Sequence, residues 1–205
     1  MRVLHIDASP RANRSRSREI AQRFVKALPA STSVTAYDLW AMDLPTLEGD
    51  MIEGRYDLLF GNPVPDAVAK EWEAVETIAN AFLDHDSIVI NTPMWNFGIP
   101  YRLKHFIDVV TQPGMAFRND AEGNVDGLAA GKRALIIAAS AMPFGQDGGL
   151  APLNFQSDYL EAWLGFIGVT DIETLHVSPT FGAEEDVARV MQEAGEKAEA
   201  LARDW

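Results

Sequence analysis

Short apolar segments alternate with longer segments of helical periodicity along most of the chain. In the first helical segment Ile20, Phe24 and Leu28 recur every four residues, the spacing of one buried helix face. The first, third and fourth apolar segments are hydrophobic almost throughout, as expected for strands of a sheet covered on both faces. Strands are predicted at residues 2–7, 33–37, 87–91, 133–140 and 171–177, and helices at 17–28, 65–84, 100–111, 153–165 and 183–204.

This alternation predicts an α/β fold with a doubly wound parallel sheet and helices on both faces. Five such units fit a flavodoxin-like topology of strand order 2-1-3-4-5, an inference from their number and length. Residues 41–64 show weak periodicity and are predicted to form an excursion over the surface. Residues 112–132 contain four glycines and predict a hairpin-like insertion before the fourth strand. With no linker or repeat, residues 1–205 are expected to form one domain.

The loops at residues 8–17 and 91–99 follow the first and third strands. In this strand order they flank the topological switch point, where open α/β sheets bind their ligands. Residues 91–100 (NTPMWNFGIP) place two aromatics, a Met and an amide between two prolines that restrict the backbone. Such a loop offers a flat apolar wall and fixed N–H donors to a planar ring. The alternative is that Trp95 and Phe97 pack into the core.

The loop after the first strand is rich in serine and arginine. Ser9, Ser15 and Ser17 supply hydroxyl groups, and residues 15–17 lie at a predicted helix start, where free N–H groups and the helix dipole favour an anion. Four of the 17 Lys and Arg residues fall within eight positions and predict a local anion site. The alternatives are helix capping by Ser15 or Ser17 and a solvated loop. The four basic residues are Arg11, Arg14, Arg16 and Arg18.

Composition narrows the range of partners. A formal net charge of −13 argues against nucleic acid or an anionic membrane as the main partner. No apolar run is long enough for a membrane span, and the start of the chain lacks a signal-peptide pattern, so a cytoplasmic location is expected. The absence of cysteine excludes disulfides, thiolate metal sites and cysteine nucleophiles. The four histidines lack metal-site spacing, so no metal is expected, and His5 is predicted to lie in the core.

The phosphate ligand predicted from these loops is a mononucleotide. No glycine precedes Gly49, so the dinucleotide fingerprint is missing after the first strand. Residues 127–132 have the wrong spacing for a Walker loop and precede a strand rather than a helix. A single phosphate beside an aromatic loop therefore favours FMN over NAD as the tightly held ligand.

Three segments in this order resemble the FMN-dependent NADH azoreductases, also described as NAD(P)H:quinone oxidoreductases. They are Ser9 with residues 15–17, residues 93–100 (PMWNFGIP), and residues 127–132. Residues 164–171 resemble the family's stretch before the last strand, so the resemblance covers essentially the whole chain. It implies a flavodoxin-like homodimer, with its active site near the dimer interface, that transfers reducing equivalents from NADH or NADPH to quinones and azo compounds.

The resemblance also implies site residues, while the flavin itself carries the chemistry and no side chain is assigned as catalytic. Two aromatics, Phe117 and Phe144, are predicted from loop placement to line the substrate pocket. The chain departs from the family pattern at residues 139–145, where relatives carry a Gly-Gly pair, and at Asn119, where they commonly place Tyr. The implied FMN phosphate contacts are Ser9, Ser15, Arg16 and Ser17, and the implied ring contacts are Pro93, Met94, Trp95, Asn96, Phe97 and Ser140.

The expected mechanism consists of alternating half-reactions in one site, with backbone N–H groups near Asn96 and Phe97 stabilising charge on the ring. A flavodoxin-type electron carrier is the nearest alternative, because an acidic surface would suit docking to basic partners. A signalling receiver domain would need an aspartate at the end of the third strand, where this chain has residues 91–93 (NTP). A purely structural interaction module is less favoured still.

Overall fold

A five-stranded parallel sheet lies at the centre of the computed structural model, which describes residues 1–144 and 149–205. In these residues the strands are β1 (Arg2–Asp7), β2 (Ser33–Asp38), β3 (Ser87–Pro93), β4 (Phe117–Asn119), β5 (Val125–Gly127), β6 (Arg133–Ala139) and β7 (Asp171–Val177). The helices are α1 (Arg16–Ala27), α2 (Asp50–Leu59), α3 (Asp66–Leu83), α4 (Tyr101–Val110), α5 (Ser157–Phe166) and α6 (Glu184–Arg203).

The sheet has the order β2-β1-β3-β6-β7, which confirms the predicted order once the two short hairpin strands β4 and β5 are counted. The register aligns the carboxyl ends of the strands at one edge. Asp7 pairs with Asp38 on one side and with Asn91 on the other, and Pro93 pairs with Ala139. The loops that follow β1, β3 and β6 therefore emerge side by side.

Helices cover both faces of the sheet, as predicted. Alternate residues of a strand point to opposite faces, so Val3 and Leu4 belong to different apolar clusters. The cluster around Leu4 is completed by α3, α4 and α5, and the cluster around Val3 by α1 and α6. Burial on both sides explains why β3 and β6 are nearly continuous apolar runs.

The predicted excursion at residues 41–64 contains a helix, α2, which was not predicted from the sequence. Only Met51 and Gly54 of this helix are buried, which explains its weak periodicity in the sequence. Tertiary contacts hold it: the Trp72 indole N–H donates to the Met51 carbonyl at 2.8 Å, and the Arg55 guanidinium lies 5.0 Å from the centre of the Trp72 ring.

Helix α5 begins at Ser157 rather than at the predicted residue 153. A short 3-10 turn at Ala151–Leu153 comes first, and the Asn154 amide then donates to the Ser157 hydroxyl at 2.6 Å. The buried Gln156 side chain donates to the Thr92 carbonyl at 3.1 Å, so it braces the end of β3. This long-range bond leaves no mark on the local sequence.

The predicted insertion at residues 112–132 is the β4–β5 hairpin. Gly127 allows it to pack directly on the connection between α5 and β7, because a Cβ at this position would lie 2.2 Å from the Ile167 carbonyl carbon. The connection leads into the amino end of β7, so the hairpin lies at the edge of the sheet opposite to the loops after β1 and β3. Among the described residues, no helix is both long and apolar enough to cross a bilayer.

Candidate functional site

The loop after β1 presents three nearly buried serines where α1 begins. Ser15 is the N-cap of α1, and its hydroxyl oxygen accepts from the Arg18 amide at 3.1 Å. The hydroxyl oxygens of Ser15 and Ser17 are 3.3 Å apart. Ser9 is held in a tight turn in which its amide donates to the Asp7 carboxylate at 3.0 Å. The structure thus brings together all three predicted serines, and it confirms the capping role of Ser15.

The four arginines of this segment do not act together as a local anion site. Arg18 turns inward, forms an ion pair with the buried Asp7 carboxylate and reaches Asp38 at 3.1 Å. Its charge is therefore balanced within the protein. Arg16 lies at the surface, 3.7 Å from Glu19, while Arg11 and Arg14 are exposed. Local spacing could not reveal this division, because the partners of Arg18 lie on β1 and β2.

A buried polar network under the serine loop was not predicted. The Asn91 amide nitrogen donates to the Asp7 carboxylate at 2.9 Å and to the Ser17 hydroxyl at 3.3 Å. Its amide oxygen lies 2.6 Å from Nε2 of His5, the residue predicted to lie in the core. Burial lowers the pKa of His5, although the bond to Asn91 opposes this shift. The visible signal in the sequence was Asn91 itself, a polar residue that directly follows the apolar run 88–90 of β3.

The loop after β3 contains a tight two-residue turn at Asn96 and Phe97. The amide and carbonyl of Trp95 pair with those of Gly98 at 2.9 and 3.0 Å. Asn96 and Phe97 have φ angles of 47° and 72°, the left-handed pair that a type I′ turn requires. Within residues 1–144 and 149–205 neither of their N–H groups has a hydrogen-bond partner. Left-handed backbone is costly for a residue such as Phe, and such strain is concentrated at functional sites.

The two aromatics of this loop extend to opposite sides. Trp95 and Phe97 are 38% and 43% exposed, which excludes the alternative that both pack into the core. Trp95 lies 5.8 Å from Trp40 and 6.0 Å from Tyr101, measured between ring centres. Phe97 meets the predicted pocket residue Phe144 edge to face at 6.0 Å.

Trp40 is a site residue that the sequence analysis missed. It lies two residues after the end of β2, and its indole N–H donates to the Ala8 carbonyl at 2.9 Å, so it joins the loops after β1, β2 and β3. Its position after a strand adjacent to β1 was the available signal. Residues 41–64, which follow Trp40, were predicted to form a surface excursion.

Pro93, Met94 and Ser140 lie where the ends of β3 and β6 meet. The Met94 amide donates to the Ala139 carbonyl at 2.7 Å, so it is not available to a ligand. The Ser140 hydroxyl donates to the Met142 carbonyl at 2.7 Å, and the Ser140 carbonyl accepts from Thr180. This part of the loop is thus held by its own contacts. Residue 145, the last of the segment in which the chain departs from the family pattern, lies outside the described residues, as do residues 146–148.

Phe117 is not brought to this site within one chain. It lies on the hairpin, where its ring packs edge to face on Phe166 with centres 4.9 Å apart. Both residues are near the amino ends of the strands, whereas Phe97 and Phe144 are at the carboxyl ends. The two predicted pocket residues therefore lie at opposite edges of the sheet.

The donors at the carboxyl edge fit a phosphorylated ligand with a flat ring. Serine hydroxyls and the start of α1 suit an anion, and the amides of Asn96 and Phe97, which have no partner among the described residues, suit ring acceptors. Such groups are also the ones that FMN requires. The described residues contain no group of three or more histidine, cysteine, aspartate or glutamate side chains arranged to hold a metal ion.

Comparison with known proteins agrees with this geometry. A family model described as a flavodoxin-like fold matches residues 1–202. The FMN-dependent NADH:quinone oxidoreductase 3 of Pseudomonas fluorescens is 39% identical to this chain, with 98% of this chain and 96% of the relative covered. The corresponding enzyme of Desulfotalea psychrophila is 37% identical, with 99% and 97% covered.

Solved structures give the same answer for the fold. The azoreductase from Bacillus anthracis superposes with a TM-score of 0.91 at 25% identity, with 100% of both chains covered. Another solved azoreductase, AzrA, has a TM-score of 0.89 at 25% identity, again with 100% of both chains covered. The chain therefore belongs to the flavodoxin-like family that includes the FMN-dependent NADH:quinone oxidoreductases.

Proposed function

We propose that residues 1–205 form one FMN-binding domain with a doubly wound sheet, which transfers reducing equivalents from NADH or NADPH to quinones and azo compounds. The observation that carries the proposal is the turn at Asn96 and Phe97, whose two amides have no partner in residues 1–144 and 149–205 and lie at the switch point beside the serine loop. The names of the relatives, FMN-dependent NADH:quinone oxidoreductase and azoreductase, support the same reaction class.

The chemistry that FMN supplies when bound is hydride acceptance from the nicotinamide and two-electron transfer to the second substrate. The protein's part is binding and electrostatics. Ser9, Ser15, Arg16 and Ser17 would hold the phosphate, with the guanidinium adding a charge-assisted contact. The amides of Asn96 and Phe97 would donate to the ring where negative charge develops, as oxyanion-hole donors do. Trp95 and Phe97 would form its apolar walls, with Pro93, Met94 and Ser140 at its base.

The kinetic order that we infer is ping-pong, in which the oxidised nucleotide leaves before the quinone or azo compound enters. A single ring-binding loop supports this order, because both substrates must approach the same flat surface. No side chain is assigned as a general acid, since solvent can supply protons. A cytoplasmic location belongs to the same proposal, and the absence of cysteine is compatible with it.

A homodimer is also part of the proposal, because the predicted pocket is incomplete in one chain. Phe144 borders the ring-binding loop, whereas Phe117 lies at the opposite edge of the sheet. A second copy would have to bring its own Phe117 to this pocket. The exposed ring of Phe166, stacked edge to face against Phe117, supports an apolar contact surface at that point.

Steady-state oxidation of NADH with menadione as acceptor tests the reaction. FMN-loaded protein is expected to turn over with both substrates and to show parallel lines in double-reciprocal plots. A protein that binds FMN but shows no turnover would instead support the electron-carrier alternative. Purified protein that is colourless and takes up no FMN would contradict both.

A further inference from the structure

The carboxylate of Asp7 determines the orientation of a buried amide beside the phosphate loop. Asp7 Oδ1 lies 2.9 Å from the Asn91 amide nitrogen, and its other oxygen pairs with Arg18. A carboxylate paired with a guanidinium has no proton to donate, so only the NH₂ side of the Asn91 amide can face it. The reverse orientation would place two acceptors against each other.

This orientation fixes the rest of the network. The Asn91 oxygen then faces His5 Nε2 at 2.6 Å, so the neutral imidazole carries its proton on that nitrogen. Burial lowers the pKa of His5, which favours the neutral form. The second amide proton of Asn91 points to the Ser17 hydroxyl oxygen at 3.3 Å. All hydrogen-bonding groups of this buried amide are thereby satisfied.

The consequence appears at the two serines of the α1 start. The Ser17 oxygen accepts from Asn91 and the Ser15 oxygen accepts from the Arg18 amide. Each hydroxyl therefore has an acceptor position occupied by an N–H group, and its proton can be donated either to the other serine, 3.3 Å away, or to a ligand. A phosphate dianion offers acceptors only, so it binds hydroxyls that are oriented as donors.

We propose that Asn91, held by Asp7, is a positioning residue that directs the Ser17 hydroxyl proton toward the phosphate of the bound nucleotide. The inference rests on the phosphate site of the proposed function. Asn91 is fully buried and would act through the hydroxyl of Ser17, to which its amide nitrogen is bonded. The donors run in one direction, from His5 through Asn91 and Ser17, and such chains strengthen each successive bond.

The test compares FMN with riboflavin, which lacks the phosphate, by titration of apo-protein followed by flavin fluorescence. Asn91→Ala is expected to weaken FMN binding about tenfold, the typical effect of one hydrogen bond to a charged group. Riboflavin binding is expected to change by less than about twofold. The matched control is Ser87→Ala, at the other end of β3, where the buried hydroxyl accepts from the Trp205 indole. This control should lower the melting temperature and leave the ratio of the two affinities unchanged.

A double-mutant cycle with Ser17→Ala separates positioning from general damage. If Asn91 acts through the Ser17 hydroxyl, Asn91→Ala should change FMN affinity by less than about twofold once Ser17 is alanine. Asn91→Thr, whose β-branched side chain suits a strand, is the second variant if Asn91→Ala does not fold, and the same results are expected from it.

The outcomes distinguish the two proposals. Wild-type protein that binds riboflavin as tightly as FMN would overturn the phosphate site itself. If the wild type prefers FMN but the Asn91 variants weaken both ligands equally, the phosphate site stands and the positioning role of Asn91 is overturned. Full additivity with Ser17→Ala would overturn that role in the same way.

Discussion

Whether a residue at the site can bind a ligand depends on which partners its polar atoms already have within the protein. Arg18 belongs to the predicted basic cluster and Met94 to a predicted binding loop, yet the guanidinium is paired with carboxylates and the Met94 amide is bonded to β6. Asn96 and Phe97 are the reverse case, since their amides have no partner among the described residues. Availability to a ligand is therefore decided atom by atom.

His5 links stability to pH at the residue scale. Its pKa is lowered by burial from the ordinary 6.5, so below that pH the unfolded chain binds more protons than the folded one. The contribution of His5 to the free energy of unfolding should be fully present above about pH 6.5. It should fall as the pH decreases, by at most about 1.4 kcal/mol per pH unit.

Urea unfolding of apo-protein between pH 5 and pH 8 measures this effect. His5→Gln, which keeps an N–H donor for Asn91, should flatten the dependence over that range. If the unfolding free energy of the variant depends on pH as steeply as that of the wild type, groups other than His5 cause the dependence.

Trp95 should affect the flavin more than the fold. It is 38% exposed, so Trp95→Ala is expected to cost less stability than truncation of a core tryptophan, which costs about 3–5 kcal/mol. The absorbance and fluorescence of bound FMN should change, because the ring loses one apolar wall.

Trp72→Phe is the control for this prediction, because the buried Trp72 indole bonds to the Met51 carbonyl far from the loop. It should lower the melting temperature without altering the flavin spectrum. The opposite pattern, with Trp95→Ala destabilising and spectrally silent, would assign Trp95 to packing alone.

At the scale of elements, the start of α1 combines stability and binding in adjacent positions. Ser15 caps the helix, whereas the Ser17 hydroxyl is bonded, within the part of the chain that the structure describes, to Ser15 and Asn91 only. Ser15→Ala should therefore lower the stability of apo-protein by about 1 kcal/mol and also weaken FMN binding. Ser17→Ala should weaken FMN binding with a smaller loss of stability. Thermal melting of the apo-proteins measures the losses of stability, and FMN titrations measure the losses of affinity. Equal FMN affinity in the wild type, Ser15→Ala and Ser17→Ala would contradict the phosphate assignment.

The packing of the hairpin depends on one glycine. A Cβ at Gly127 would lie 2.2 Å from backbone carbon and 2.3 Å from backbone nitrogen of the α5–β7 connection, so Gly127→Ala forces two main-chain segments apart. We expect a loss of about 1–3 kcal/mol or more, as for other overpacked sites.

Gly165→Ala provides the matched control, because a Cβ there meets nothing within 4 Å and the position is helical. This substitution should raise stability by about 0.5–1 kcal/mol. Denaturant unfolding of the two variants measures both effects, and equal stabilities would contradict the close packing of the hairpin.

At the scale of the whole molecule, the two edges of the sheet carry different parts of the proposed pocket. The carboxyl edge holds the serine loop and the turn at Asn96 and Phe97, and the amino edge holds Phe117. A homodimer in which each chain completes the other's pocket makes a specific prediction about mixed dimers.

Ser17→Ala should impair FMN binding, and Phe117→Ala should impair use of the acceptor. When the two variants are unfolded and refolded together, mixed dimers should regain activity, because one pocket then has both intact residues. Menadione reduction by the mixture, compared with each variant refolded alone, measures the gain. Activity equal to the average of the separate variants would indicate that each chain uses its own Phe117 or none.

The sequence by itself determined the secondary structure of most of the chain and pointed to the two candidate ligand-binding loops. Periods of two and of 3.6 residues record which side of each element is buried, and the order of elements restricts the topology to a few choices. The carboxyl ends of β1 and β3 therefore had to lie together, with the serine loop beside residues 93–100.

Only the tertiary structure decided which atoms in those loops are free. The pairing of Arg18 with Asp38, the bond from Asn91 to Ser17, and the contact of Trp40 with Trp95 join residues that lie far apart in the chain. The same is true of α2, which is held by Trp72 more than by its own periodicity, and of Phe117, which lies at the far edge of the sheet. Local patterns record burial, but the choice of a hydrogen-bond partner depends on distances that exist only after the chain has folded.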